Sequence, residues 1–171
     1  EATSSLRTKV VPDTFPVFEG FSISHIHIPY KGIPGGDFLD YYQLDENNLA
    51  VILGDVMGKK WGAWYFAYAY AGYIRSALRS VLQNAKDYSP SEILQQVNLT
   101  VYGDTKISEV FATLSIIIIN NKTNELKYSG AGDIPIIYKN SEGELLSIKS
   151  KGLLLGFSKM GDYEDNVIQL K

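Results

Sequence analysis

The sequence has no cysteine, only two histidines, and no block of like charge among its 171 residues. Each scarcity excludes something. Without cysteine there can be no disulfide and no thiolate ligand, so any bound metal must rest on oxygen or imidazole. The same absence fits a reducing, cytoplasmic setting. A formal net charge of −3 argues against a dedicated nucleic-acid surface. The longest apolar stretch, Trp61 to Ala71, is rich in tyrosine. It is shorter than the roughly 20 residues a spanning helix needs, so direct membrane insertion is not expected. P-loop, G-x-S-x-G and HExxH motifs are also missing. The chain begins with Glu1, which fits a domain belonging to a larger sensor protein.

What is present is a hydrophobic pattern that changes period along the chain. Phe21 to Ile28 alternates and predicts a half-buried strand. Pro29 to Gly36 is a Gly- and Pro-rich turn, Asp37 to Leu44 a second strand, and Asp45 to Asn48 a hairpin turn. Leu49 to Leu53 is continuously apolar, as in a strand covered on both faces. From Trp61 to Gln83 the apolar residues fall at helical spacing, with Arg75 and Arg79 one turn apart on a polar stripe. Ser89-Pro90-Ser91-Glu92 opens a second helix, running to about Tyr102, with Ser89 as its N-cap. Strands follow at Phe111 to Ile119 and Glu125 to Ser129, then a hairpin of Ile134 to Tyr138 and Glu144 to Ile148. Strands, two helices, then strands predict an α+β domain, an antiparallel sheet with helices packed on it. Residues 1–16 read as a linker or the end of an incoming helix, broken by Pro12 and Pro16, and 17–171 as the domain.

Two acidic motifs stand at glycine turns. In Gly35-Gly36-Asp37-Phe38-Leu39-Asp40 the glycines let the backbone approach an ion closely. Strand alternation puts Asp40 on the face opposite Asp37. In Gly54-Asp55-Val56-Met57-Gly58-Lys59 a carboxylate leaves the end of an apolar strand, which is costly unless it is paired or metal-bound. Either aspartate alone also suits a turn or a helix cap. Together, on strands joined by a short hairpin, Asp37 and Asp55 converge at one sheet end. They offer the oxygen ligands that Mg²⁺ and Mn²⁺ prefer. GGDF is similar to the diguanylate cyclase signature, but the additional acidic residue before phenylalanine is missing. His25 and His27 share one face of the first strand; a packing role is the simpler reading, a metal role the sharper one. The tyrosines of 61–73 read as helix core rather than a base-stacking platform.

The order of motifs resembles a known family. GGDFLD, then GDVMGK before a long helix, then Phe111-Ala112-Thr113-Leu114, then Ser129-Gly130-Ala131-Gly132-Asp133-Ile134-Pro135, then Gly152-Leu153-Leu154-Leu155-Gly156 look like the SpoIIE/RsbU branch of the PPM (type 2C) serine/threonine phosphatases. The resemblance runs from about Val10 to the end of the chain. It implies an antiparallel β-sandwich flanked by helices and a two-metal site of Mn²⁺ or Mg²⁺. The metals would be held by Asp37, Asp55 and the backbone carbonyl of Val56, with Asp37 and Asp55 the residues on which catalysis depends. It implies attack by metal-activated water on a phosphoserine or phosphothreonine of a regulatory protein, a STAS-type antagonist of an anti-sigma factor, and a homodimer as a further partner. Three departures stand out: Lys60 and Trp61 where a small residue is usual, Asp133 where the family has histidine, and no Thr-Asp-Gly motif after the Gly-x-x-x-Gly segment. The last departure implies a sandwich without its C-terminal strands. It also raises the alternative of a catalytically inactive, phosphatase-like regulatory or binding domain.

Overall fold

The computed structural model describes residues 10–29, 35–57, 63–85, 88–108 and 110–171. Its frame is one antiparallel sheet of five strands: β1 (Asp37–Gln43), β2 (Asn48–Val56), β3 (Ala112–Asn120), β4 (Glu125–Ala131) and β7 (Asn166–Gln169), side by side in that order. β5 (Ile136–Lys139) and β6 (Leu145–Ile148) form a separate hairpin. Two helices, α1 (Ala63–Asn84) and α2 (Pro90–Ser108), join β2 to β3.

The turns explain the tight connections. Asp45 Oδ1 accepts from the backbone N–H groups of Asn47 and Asn48 (2.8 and 2.9 Å), closing the β1–β2 hairpin. Asn120 Oδ1 does the same for Lys122 and Thr123, and Asn124 takes the left-handed conformation (φ 52°) before β4.

Alternation then sorts the side chains between two sheet faces. One face carries Phe38, Ile52, Leu114, Ile116 and Ile118 into the main core, against Ile74 and Leu78 of α1 and Ile93, Leu94 and Val97 of α2. Each such buried side chain contributes about 1.5–3 kcal/mol. Val10 and Val11 join this core, and the Leu39 N–H donates to the Val10 carbonyl (2.9 Å). Asp40 also faces the helices. It is 7% exposed, and Arg75 donates to it through Nε (2.5 Å) and Nη2 (2.8 Å). The polar stripe of α1 thus meets a carboxylate of β1. Arg79 lies over the Tyr42 ring, 5.8 Å from its centroid.

The sequence expectations hold for β1, the 45–48 turn, α1 and the β5–β6 hairpin. Ser89 caps α2 as expected, its Oγ accepting from the Glu92 N–H (3.3 Å). Four expectations need correction. Residues 22–29 are extended, with alternating burial, but pair with no strand among the described residues; the period-2 pattern is met by lying on a sheet face. Phe18, Leu49 and Ile119 form the small cluster under that segment. β2 is not covered on both faces throughout, since Leu53 is 44% exposed. α2 continues to Ser108 rather than Tyr102. Burial of Val97 and Val101 outweighs the cost of about 1 kcal/mol for helical Gly103. β7 was not expected; it is four residues long, and its pairing with β4 places Ile168 opposite Leu126. Lys59, Lys60 and Trp61 lie outside the described residues. No helix among the described residues is long and apolar enough to cross a membrane.

Candidate metal centre

The β1–β2 register places Asp37 directly opposite Asp55, and the β2–β3 register continues the row to Thr113. Directly opposed residues in an antiparallel pair have Cβ atoms about 4.5–5.5 Å apart, so the two carboxylates share one small volume. Both open to solvent at the sheet end. The Asp55 carboxyl is raised above its ordinary pKa, first by burial, then by the charge of Asp37 and a hydrogen bond with it. Two like charges held this close favour a proton or a cation between them.

The glycines of both motifs have steric reasons. A side chain at Gly36 would stand 2.2 Å from the carbonyl oxygen of Val56, while the Val56 N–H donates to the Gly36 carbonyl (3.2 Å). The bare Gly36 therefore lets its backbone pack closely against Val56 without a clash. A Cβ at Gly54 would lie 2.2 Å from the Phe38 ring, so Phe38 of one motif rests on Gly54 of the other. The two motifs lock together across the strand pair and fix the spacing of their aspartates. Two carboxylates, with the Val56 carbonyl beside Gly36 as a further oxygen, make up a donor set that suits a hard divalent cation. Among the described residues no group of three or more histidine or acidic side chains converges on one point.

Asp37 and Asp55 line a cavity of about 530 Å³ together with Thr113, Ser115, His25, His27 and Asp133. Among the described residues, no lysine or arginine lines it. His25 is tied down: its Nδ1 lies 3.0 Å from the Tyr41 hydroxyl, and its ring sits between Phe15 and Tyr41 (centroids 5.1 and 5.8 Å).

Asp133, the residue that departs from the family pattern, has a built seat. Its Oδ2 accepts from Ser115 Oγ and the Tyr128 hydroxyl, both at 2.5 Å. Its Oδ1 is buried without a hydrogen-bond partner. The carboxylate lies over Gly130, where a Cβ would stand 2.0 Å from Oδ1. Burial, and then the hydrogen bond and charge of Asp133, push the Tyr128 phenol well up. Sequence reading missed Thr113, Ser115 and Tyr128. The polar residues at 113 and 115, two apart in an apolar strand, were the available signal for the first two.

Comparison with known proteins meets this geometry. The family model described as Stage II sporulation protein E (SpoIIE) matches residues 45–171. Protein IcfG of Synechocystis is 27% identical over 91% of the chain and 28% of its own length. Phosphoserine phosphatase RsbU of Bacillus subtilis is 25% identical over 96% of the chain and 47% of its own length. The chain thus spans less than half of either relative. The solved PP2C phosphatase domain of Bacillus subtilis SpoIIE, with a fragment of its regulatory domain, superposes with a TM-score of 0.65 at 20% identity, over 80% of this chain and 38% of that one. The fold is therefore shared, the family match spans most of the sequence, and the chain belongs to the SpoIIE family, in the SpoIIE/RsbU branch of the PPM phosphatases.

Proposed function

We propose that this domain hydrolyses phosphoserine or phosphothreonine on a regulatory protein, with a STAS-type antagonist of an anti-sigma factor as the expected substrate class and the cytoplasm as the setting. The observation that carries this reading is the cross-strand pair Asp37–Asp55, with the Val56 carbonyl next along β2. Those three groups would hold Mn²⁺ or Mg²⁺. Bound there, the ions would lower the pKa of water, neutralise the phosphate and align in-line attack. The chain's own part is to concentrate negative charge at one sheet end and hold it at fixed spacing through Phe38 on Gly54. No protein nucleophile is required, in keeping with a chain that has no cysteine. The similarity to RsbU, a phosphoserine phosphatase, supports the reaction class. β7 ends the sheet with no further strand beside it among the described residues, which supports a homodimer.

The test is phosphate release from a phosphoserine protein with and without Mn²⁺. Metal-dependent release that Asp55→Ala abolishes is expected; release that survives Asp55→Ala or chelation overturns the reading. A second reading, a binding domain without turnover, is favoured by Asp133 in the histidine position. It predicts that the phosphoprotein binds and no phosphate appears.

A further inference from the structure

Hydrolysis of a phosphoserine leaves a serine alkoxide, which is far too basic to depart at neutral pH without a proton. A positioned acid supplies that proton in many hydrolases. The described residues lining the cavity include no lysine or arginine, and its two imidazoles are those of His25 and His27. His25 is already engaged by Tyr41 and Phe15.

The course of the covering segment separates the two histidines. Phe18 packs on Leu49 and Ile119, at the sheet end away from Asp37. Phe21 and Ile23 pack against the same cluster, as do Tyr41, Val51 and Ile117. His25 then reaches the Tyr41 hydroxyl. An extended chain advances about 6.5 Å for every two residues, so His27 lies further toward the Asp37–Asp55 end, on the same side of the segment as His25. Both histidines are partly buried while Ile26 and Ile28, between and after them, are 84% and 81% exposed. The apolar residues face out and the imidazoles face in, the reverse of what packing alone would select.

We infer that His27 is the proton donor to the leaving oxygen of the phosphoserine. The inference rests on the phosphatase reading above. In the step, a water oxygen bonds to phosphorus and the phosphorus–serine oxygen bond breaks. Its electron pair stays on the serine oxygen, which takes the proton of the His27 imidazolium. The attacking water gives up one proton, which restores the imidazolium, and the products are serine and hydrogen phosphate.

The experiment compares two leaving groups in the full chain and in His27→Gln. With a phosphoserine peptide, kcat should fall by about 10²–10⁴-fold, the range for a lost general acid. With p-nitrophenyl phosphate, whose leaving group needs no proton, kcat should fall by no more than about fivefold. Equal losses on both substrates, or no loss on either, overturn the assignment. An NMR arm does not depend on turnover: adding Mg²⁺ and inorganic phosphate should move the His27 ring resonances. Unmoved resonances would overturn the assignment as well. Wild-type chain that turns over neither substrate with metal would instead sink the phosphatase reading, and the NMR arm would still decide the place of His27.

Discussion

Asp37 and Asp40 stand three residues apart on β1, and strand alternation sends them to different tasks. Asp37 meets Asp55 at the open sheet end, while Asp40 turns inward to Arg75. Burial alone would lower the Arg75 pKa, but the hydrogen bond and charge of Asp40 outweigh it and hold the guanidinium firmly charged. Removing Asp40 would strand that cation against the helix. Asp40→Ala should therefore cost about 2–4 kcal/mol in urea unfolding, somewhat below the full cost of breaking a wholly buried pair because Arg75 keeps some access to water. Asp55 works in the opposite sense. Its folded pKa lies above the usual 3.8, so the folded chain holds the proton more tightly than the unfolded chain does. In metal-free protein this contribution grows as pH falls toward 3.8 and is lost as pH rises through the folded pKa. Asp55→Asn should raise the metal-free melting temperature at pH 7 by about 1–2 °C, and the gap should close at acid pH. Scanning calorimetry across pH checks both signs. The Asp37–Asp55 pair was legible in the sequence because both aspartates follow glycines on strands joined by a four-residue turn. The seat of Asp133 was not, because Ser115, Tyr128 and Gly130 become its neighbours only through β3–β4 pairing.

At the scale of elements, α2 is a bracket as well as a core helix. Asn98, fully buried, donates through Nδ2 to the carbonyls of Ser158 (2.9 Å) and Lys159 (3.2 Å) and accepts from the Gly156 N–H (2.8 Å). Gln95 adds a bond to the Lys159 carbonyl and accepts from the Gly161 N–H. Asp165 caps the same helix, accepting from the Ser91 N–H at 2.7 Å. The loop from Gly156 to Asp165 thus owes its shape to α2. Asn98→Ala should cost about 2–4 kcal/mol, because it leaves buried backbone groups without partners. Chemical denaturation would show it, and limited proteolysis should cut first within 156–161. Elements with strong periodicity or capping chemistry, α1 and the start of α2, were readable from sequence. The segment 22–29 was misread because alternation reports which side is buried, not whether a neighbouring strand supplies hydrogen bonds. β7 escaped because Val167 and Ile168 are too short an apolar run to signal a strand, and its place depends on β4.

For the whole molecule the two faces of the sheet are unequal. The helical face carries the main core, and the other carries the cluster of Phe18, Leu49 and Ile119 with the cavity beside it. A cation bound at Asp37 and Asp55 couples to global stability through β1 and β2. At 100 times its dissociation constant it should add about 2.7 kcal/mol, which is about 5–10 °C in melting temperature, reversed by chelation. No change with Mg²⁺ or Mn²⁺ would count against the site.

The segment over the cavity has a consequence in time. Among the described residues, no backbone hydrogen bond ties Ser22 to Ile28 to the sheet; the bond from the Phe21 N–H to the Phe18 carbonyl (3.1 Å) is local to the segment. Amide protons there should exchange with deuterium at rates near those of an unstructured peptide, while those in the middle of β2 and β3 exchange only through larger openings. Slow exchange at Ser24 to Ile28 would contradict this. The imidazole assigned to deliver the proton thus sits on a segment held by side-chain packing, while the carboxylates are held by strand pairing.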